Sequence, residues 1–126
     1  MRGVTLDAGA LLAVERRDAR MTALLALVRD DAEAVINVPA GAVAQAWRDG
    51  RQQALLARLL AASQTEVVDL DGAAARAAGV LLARAGTSDV VDASVALCAT
   101  ERRQAIVTSD AGDIRVLAPS ATIYSI

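Results

Sequence analysis

The stretch Gly86-Thr87-Ser88-Asp89-Val90-Val91-Asp92-Ala93 places two carboxylates three residues apart at the predicted start of a helix. That spacing puts both on one helix face, about 5–6 Å apart at Cβ, where like charges repel. Two explanations are open. Asp89 can cap the helix, accepting from free N–H groups of its first turn while Asp92 reaches back, an arrangement the helix dipole favours. Alternatively the acids hold a divalent cation, whose charge turns repulsion into attraction. Two further stretches bear on the choice, Thr5-Leu6-Asp7 and Thr108-Ser109-Asp110-Ala111-Gly112-Asp113. In both, an acid stands where an apolar run stops.

The absence of histidine narrows the chemistry. Ser-His-Asp and Cys-His nucleophile systems are excluded, as is a histidine-ligated zinc site, and one cysteine cannot build a thiolate site. Carboxylates, hydroxyls and arginines remain, a donor set suited to hard cations such as Mg²⁺ or Mn²⁺. Net charge is −2, so the protein as a whole is not a polycationic nucleic-acid binder. All thirteen basic residues are Arg, a bias that a GC-rich genome explains and that also supplies planar, bidentate phosphate binders. Cys98 lies in an apolar helical stretch and reads as core, and a single thiol suits a reducing cytoplasm. No apolar run is long enough to span a bilayer, and Met1-Arg2-Gly3-Val4 does not begin a signal peptide.

These acids must be positioned by the elements around them. A length of 126 residues fits one domain, residues 1–126, whose core is packed from Ala, Val, Leu and Ile because only 2% of residues are aromatic. Short β-branched runs predict strands at 4–6, 35–38, 66–70, 105–108 and 122–126. Helical spacing predicts helices over 8–14, 18–29, from Pro39 through Trp47 to an end at Asp49-Gly50, and over 51–62, 73–84, 90–102 and 111–117. Strands alternating with helices imply a mainly parallel sheet of about five strands inside a three-layer α/β/α sandwich. Asp7 and Asp110 then fall at one edge of the sheet, where open α/β sheets bind ligands, and the helix start holding Asp89 and Asp92 can meet them there. Gathering these charges demands compensation, which one or two Mg²⁺ ions supply. No glycine-rich phosphate loop is present.

Taken in order, Thr5-Leu6-Asp7-Ala8, Val38-Pro39-Ala40, Thr87-Ser88-Asp89-Val90-Val91-Asp92-Ala93 and Val107-Thr108-Ser109-Asp110-Ala111-Gly112-Asp113-Ile114 resemble the PIN domain, specifically the VapC-type ribonuclease toxins of toxin–antitoxin pairs. The resemblance implies a PIN-like fold and a divalent-metal-dependent endoribonuclease, held inactive by a cognate antitoxin and commonly paired as a homodimer. By position, Asp7, Asp92 and Asp110 match the acidic metal-binding residues, and Asp89 and Asp113 match accessory acids. Thr108 or Ser109 resembles the hydroxyl that supports the site. One position departs from the pattern: Gln45 stands where these nucleases usually carry a Glu, so it offers a carbonyl oxygen but no charge.

Arg48, Arg51, Arg84 and Arg115 flank the acidic segments as candidate RNA contacts, and Arg16, Arg17 and Arg20 cluster early; solvated helix surface is the alternative for each. Leu24, Leu25 and Val28 are either a homodimer face or core. Three functions follow in order: a Mg²⁺- or Mn²⁺-dependent ribonuclease; a PIN-like module that binds RNA or protein without cutting, because of Gln45; and a receiver-type α/β domain. The last needs a late lysine, and the chain has none.

Overall fold

The computed structural model describes residues 2–126; Met1, the first residue of the expected domain, lies outside the described residues. Along the chain run β1 (Gly3–Leu6), α1 (Ala8–Glu15), α2 (Ala19–Asp30), β2 (Val35–Pro39), α3 (Ala40–Ala46), α4 (Ala54–Ala61), β3 (Thr65–Val68), α5 (Gly72–Ala85), α6 (Val90–Arg102), β4 (Ala105–Thr108), α7 (Ala111–Leu117) and β5 (Ile123–Ser125). The five strands form one sheet in the order β3-β2-β1-β4-β5. Every pairing is parallel, with Thr5 opposite both Asn37 and Ile106.

Alternation along the strands builds two cores. Val4, Leu6, Ile36, Val38 and Val107 pack with Leu11, Met21, Leu25, Leu56 and Leu59 of α1, α2 and α4. Ile106 turns the other way, against Val95, Ala96 and Ala99 of α6 and Ile114 and Leu117 of α7. The result is the expected three-layer α/β/α sandwich, its sheet wholly parallel. Strand order runs outward from β1 through β2 to β3, then jumps back across β1 to β4. The crevice between the carboxyl ends of β1 and β4 is therefore a topological switch point, the position where open α/β sheets take ligands.

A buried polar knot ties the sheet together beneath α6. Gln104 Oε1 accepts from Thr5 Oγ1 and Asn37 Nδ2, both at 2.9 Å. Its Nε2 donates to the carbonyls of Val35 at 3.1 Å and Arg2 at 3.3 Å. One side chain thus links β1, β2 and the entry to β4. Asn37 Oδ1 has no hydrogen-bond partner among the described residues.

Several boundaries differ from the sequence expectation, each for a non-local reason. α3 ends at Ala46 rather than at Asp49-Gly50, and Trp47 is already extended. The side chain of Gln53 holds the break: Oε1 accepts from the amides of Arg48 (2.7 Å) and Asp49 (3.0 Å), while Nε2 donates to the Ala46 carbonyl at 2.9 Å. α4 consequently starts at Ala54, not Arg51. Its open N-terminus receives Glu15, whose Oε2 accepts from the Leu56 amide at 3.1 Å. β3 stops at Val68 instead of Leu70 because its ladder partner β2 ends at Pro39, opposite Val68. Among the described residues no helix is long and apolar enough to cross a membrane.

Candidate active site

Asp7 leaves the carboxyl end of β1 as the N-cap of α1 and is 5% exposed. Its Oδ1 accepts from the Ala10 amide at 2.8 Å, the orphan donor that a helix start presents. The main chain anchors it as well, Asp7 N donating to the Val107 carbonyl at 3.2 Å. Thr108, fully buried at the end of β4, joins the two strand ends. Its Oγ1 accepts from the Asp110 amide at 2.8 Å, and its hydroxyl lies near enough to Asp7 to favour the ionised carboxylate. Burial nevertheless dominates, raising the Asp7 carboxyl above its ordinary value despite these bonds, with the charge of Asp110 adding to the rise.

Asp89 caps α6, accepting from the Asp92 amide at 2.9 Å. Capping thus accounts for Asp89. It does not account for Asp92, whose carboxylate makes no hydrogen bond among the described residues. Burial first, then the charges of Asp89, Asp110, Asp113 and Asp7, push Asp92 up to about 6. Asp110 occupies the N-cap position of α7 without a side-chain capping bond. Asp113, one turn further along α7, is raised above its ordinary value chiefly by its interaction with the carboxylate of Asp110. Carboxylates from three separated segments therefore act on one another across one crevice.

The donor set tests well against a divalent cation. It consists of hard carboxylate oxygens, and their mutual repulsion is the energy a cation relieves. Among the described residues, however, no three acidic or thiol side chains are drawn together into a ready-made metal cage. The acids stand at the carboxyl ends of β1 and β4 and at the start of α6, so their mutual spacing is set by how α1, α6 and the 108–110 corner are placed.

Gln45 lies exposed on the last turn of α3. One turn earlier on the same stripe, Gly41 packs on the start of α6, where a Cβ would stand 3.1 Å from Val91 Cγ2. The stripe faces the α6 start, but Gln45 makes no hydrogen bond to the acids among the described residues. Ser109 is exposed at the cleft and rests against Gly9. Arg48 Nη1 donates to the carbonyls of Ala44 (3.1 Å) and Trp47 (2.7 Å), closing the end of α3. Arg51, Arg84 and Arg115 are exposed, and none forms an ion pair with the acids among the described residues. Leu25 is buried, and Leu24 and Val28, half-buried, pack against the same core.

The sequence reading missed Gly9 and the helix-positioning roles of Glu15 and Gln53. For Gly9 a signal existed: a glycine in the first turn of a helix immediately after a candidate ligand. Glu15 and Gln53 act on backbone that spacing alone does not bring near them.

The fold and the cleft define an open α/β domain with a carboxylate cluster at the switch point of its sheet. The model of the PIN domain matches residues 4–118, and the chain belongs to that family. None of the curated proteins matches the chain. Among solved structures, VapBC2 from Rickettsia felis bound to a fragment of promoter DNA is similar at 16% identity and a TM-score of 0.68, covering 98% of each chain. FitAB bound to the IR36 DNA fragment is similar at 16% identity and a TM-score of 0.65, over 97% of this chain and 94% of that one. FitAcB from Neisseria gonorrhoeae gives 16% identity and a TM-score of 0.60, over 97% and 96%. These likenesses establish a shared fold.

Proposed function

We propose that the protein is a divalent-metal-dependent endoribonuclease, the toxin of a toxin–antitoxin pair acting in the cytoplasm. The observation that carries this is the convergence of Asp7, Asp92 and Asp110 at the switch point, with Asp92 pushed up to about 6 by burial and by its acidic neighbours. A set of mutually repelling carboxylates at a sheet's switch point, with Asp92 making no hydrogen bond of its own among the described residues, is characteristic of a functional site. Membership of the PIN family supports nuclease chemistry, and the toxin–antitoxin complexes among the similar structures support an antitoxin partner.

Asp7, Asp92 and Asp110 would hold Mg²⁺ or Mn²⁺, with Asp89 and Asp113 adding charge and Gln45 a neutral oxygen. Held there, the cation would offset the charge of an approaching RNA phosphodiester and stabilise the negative charge that develops on its oxygens during hydrolysis. Thr108 holds the backbone at Asp110, and the Ala10 amide and the Val107 carbonyl hold Asp7, so two of the acids are anchored at adjacent strand ends. Asp92, the least strongly held, is the group able to take up a proton near neutrality. Arg51, Arg84 and Arg115 are free to meet the RNA backbone, whereas Arg48 is engaged on α3.

The antitoxin has a suitable surface in a groove of about 740 Å³ beside α1, α2 and α4. Val14, Leu25 and Leu55 give it an apolar lining, and Arg17, Arg29 and Arg58 suit a partner segment carrying acidic side chains. Pairing of two copies belongs to the same proposal and is checked by light scattering. A second reading, a PIN domain that binds without cutting, is favoured by one observation: Gln45 brings no charge where an acid is expected.

Cleavage of a mixed RNA pool by purified protein in Mg²⁺, Mn²⁺ or EDTA tests the proposal, with Asp92→Asn purified in parallel. Metal-dependent cutting that disappears in the variant establishes the nuclease. Cutting that survives both EDTA and the substitution refutes it. RNA binding without cutting, from a protein that also shows no Mn²⁺ affinity, selects the second reading.

A further inference from the structure

Gly9 occupies the first turn of α1 with a φ outside the left-handed region, so its backbone does not require glycine. Glycine is also the poorest helix former apart from proline. Space explains it. A Cβ built on Gly9 would overlap Ser109 Oγ, stand 2.8 Å from Ser109 Cβ and lie 3.3 Å from Asp7 Oδ1. A rotamer change at Ser109 moves the hydroxyl but leaves its Cβ in the way. The corner as a whole cannot retreat cheaply either. The Thr108 hydroxyl accepts from the Asp110 amide at 2.8 Å and so holds the turn of the corner, while Asp7 N donates to the Val107 carbonyl and ties the corner's strand to the start of α1.

We propose that Gly9 is a positioning residue: its missing side chain lets Ser109 close onto α1, and this contact sets the separation of Asp7 from Asp110 for a shared divalent cation. The purpose of the contact rests on the metal-dependent reading above, while the contact itself does not. An alanine at position 9 wedges the 108–110 corner away from α1 and spoils the cation site without removing any acid. Clearing Ser109 at the same time gives the corner room to return.

Gly9→Ala, Ser109→Gly and the double variant are compared with the unaltered protein in two measurements. Crystal structures read the Asp7–Asp110 separation, and calorimetry with Mn²⁺ reads affinity in the absence of RNA. The expected result is a displaced corner and at least a tenfold loss of Mn²⁺ affinity in Gly9→Ala. Both return in the double variant to the values of Ser109→Gly alone. An unmoved corner in Gly9→Ala overturns the inference, as does a moved corner with unchanged affinity, or a double variant as weak as Gly9→Ala. If the unaltered protein binds no Mn²⁺, the metal-dependent reading fails and the purpose assigned to Gly9 fails with it. The crystal structures then still decide whether Gly9 sets the spacing.

Discussion

Replacing Asp92 by Asn should stabilise the metal-free protein while disabling its site. Burial and four acidic neighbours raise the Asp92 carboxyl from 3.8 to about 6. A raised acid means that the native state binds the proton more tightly than the unfolded chain does. Stability therefore falls as pH climbs from 3.8 to about 6, and the whole penalty stands above that interval. Converted directly, the shift is about 3 kcal/mol. Asp92 is only half-buried, and solvent screening reduces the figure to about 1 kcal/mol. Asparagine keeps the shape and sheds the charge, forfeiting about 0.3 kcal/mol of favourable interaction with the helix dipole. The net gain raises Tm by about 3 °C in a domain of this size. Thermal denaturation followed by circular dichroism in EDTA, at neutral pH and again near pH 4, reads this directly. The gain should be present at neutral pH and absent near pH 4, where Asp92 already carries its proton. With Mn²⁺ in large excess the order should reverse, because a ligand at about 100 times its Kd adds about 2.7 kcal/mol to the protein that binds it. A variant that melts at or below the unaltered protein in EDTA at neutral pH would refute the electrostatic reasoning, as would a gain of equal size near pH 4.

Three further outcomes are expected. Gln45→Glu adds a carboxylate on the α3 stripe that faces the start of α6 and should tighten Mn²⁺ binding about tenfold, or about 1.4 kcal/mol; unchanged calorimetry would put Gln45 outside the site. Gln104→Leu removes the partner of Thr5 and Asn37 and should cost about 3 kcal/mol in urea denaturation, since buried polar groups are left unpaired; a loss below about 0.5 kcal/mol would show that the knot is dispensable. Mn²⁺ affinity should decline as pH falls below about 6, where Asp92 takes up its proton, and a flat profile across that interval would remove Asp92 from the cation site.

The sequence discloses features that arise locally. Val4-Thr5-Leu6 and Ala105-Ile106-Val107-Thr108 are short, β-branched and followed by acids, so both the central strands and the placement of Asp7 and Asp110 can be read from them. Asp89 stands just before an apolar helical pattern and caps it as expected. What escapes the sequence is decided by contacts between distant segments. The break after Ala46 depends on a glutamine in the next loop, and the end of β3 depends on where its neighbour stops. Gln104 looks like any polar residue before a strand, yet its side chain reaches residues 2, 5, 35 and 37. Gly9 reads as a flaw in a helix until Ser109, a hundred positions later, is seen to fill the space it leaves.

The jump in strand order from β3 back across β1 to β4 also bears on when in folding the crevice can form. Asp7 follows β1, whereas its counterpart Asp110 follows β4, with three strands and six helices between them along the chain. Until β4 seats beside β1, no second wall faces Asp7, and the sheet consists of β1, β2 and β3 alone. Such long-range pairing is slow to form because loop closure must precede the contacts that reward it. The acids at the ends of β1 and β4 therefore meet only once a long crossover has closed, which places the assembly of their crevice late in folding.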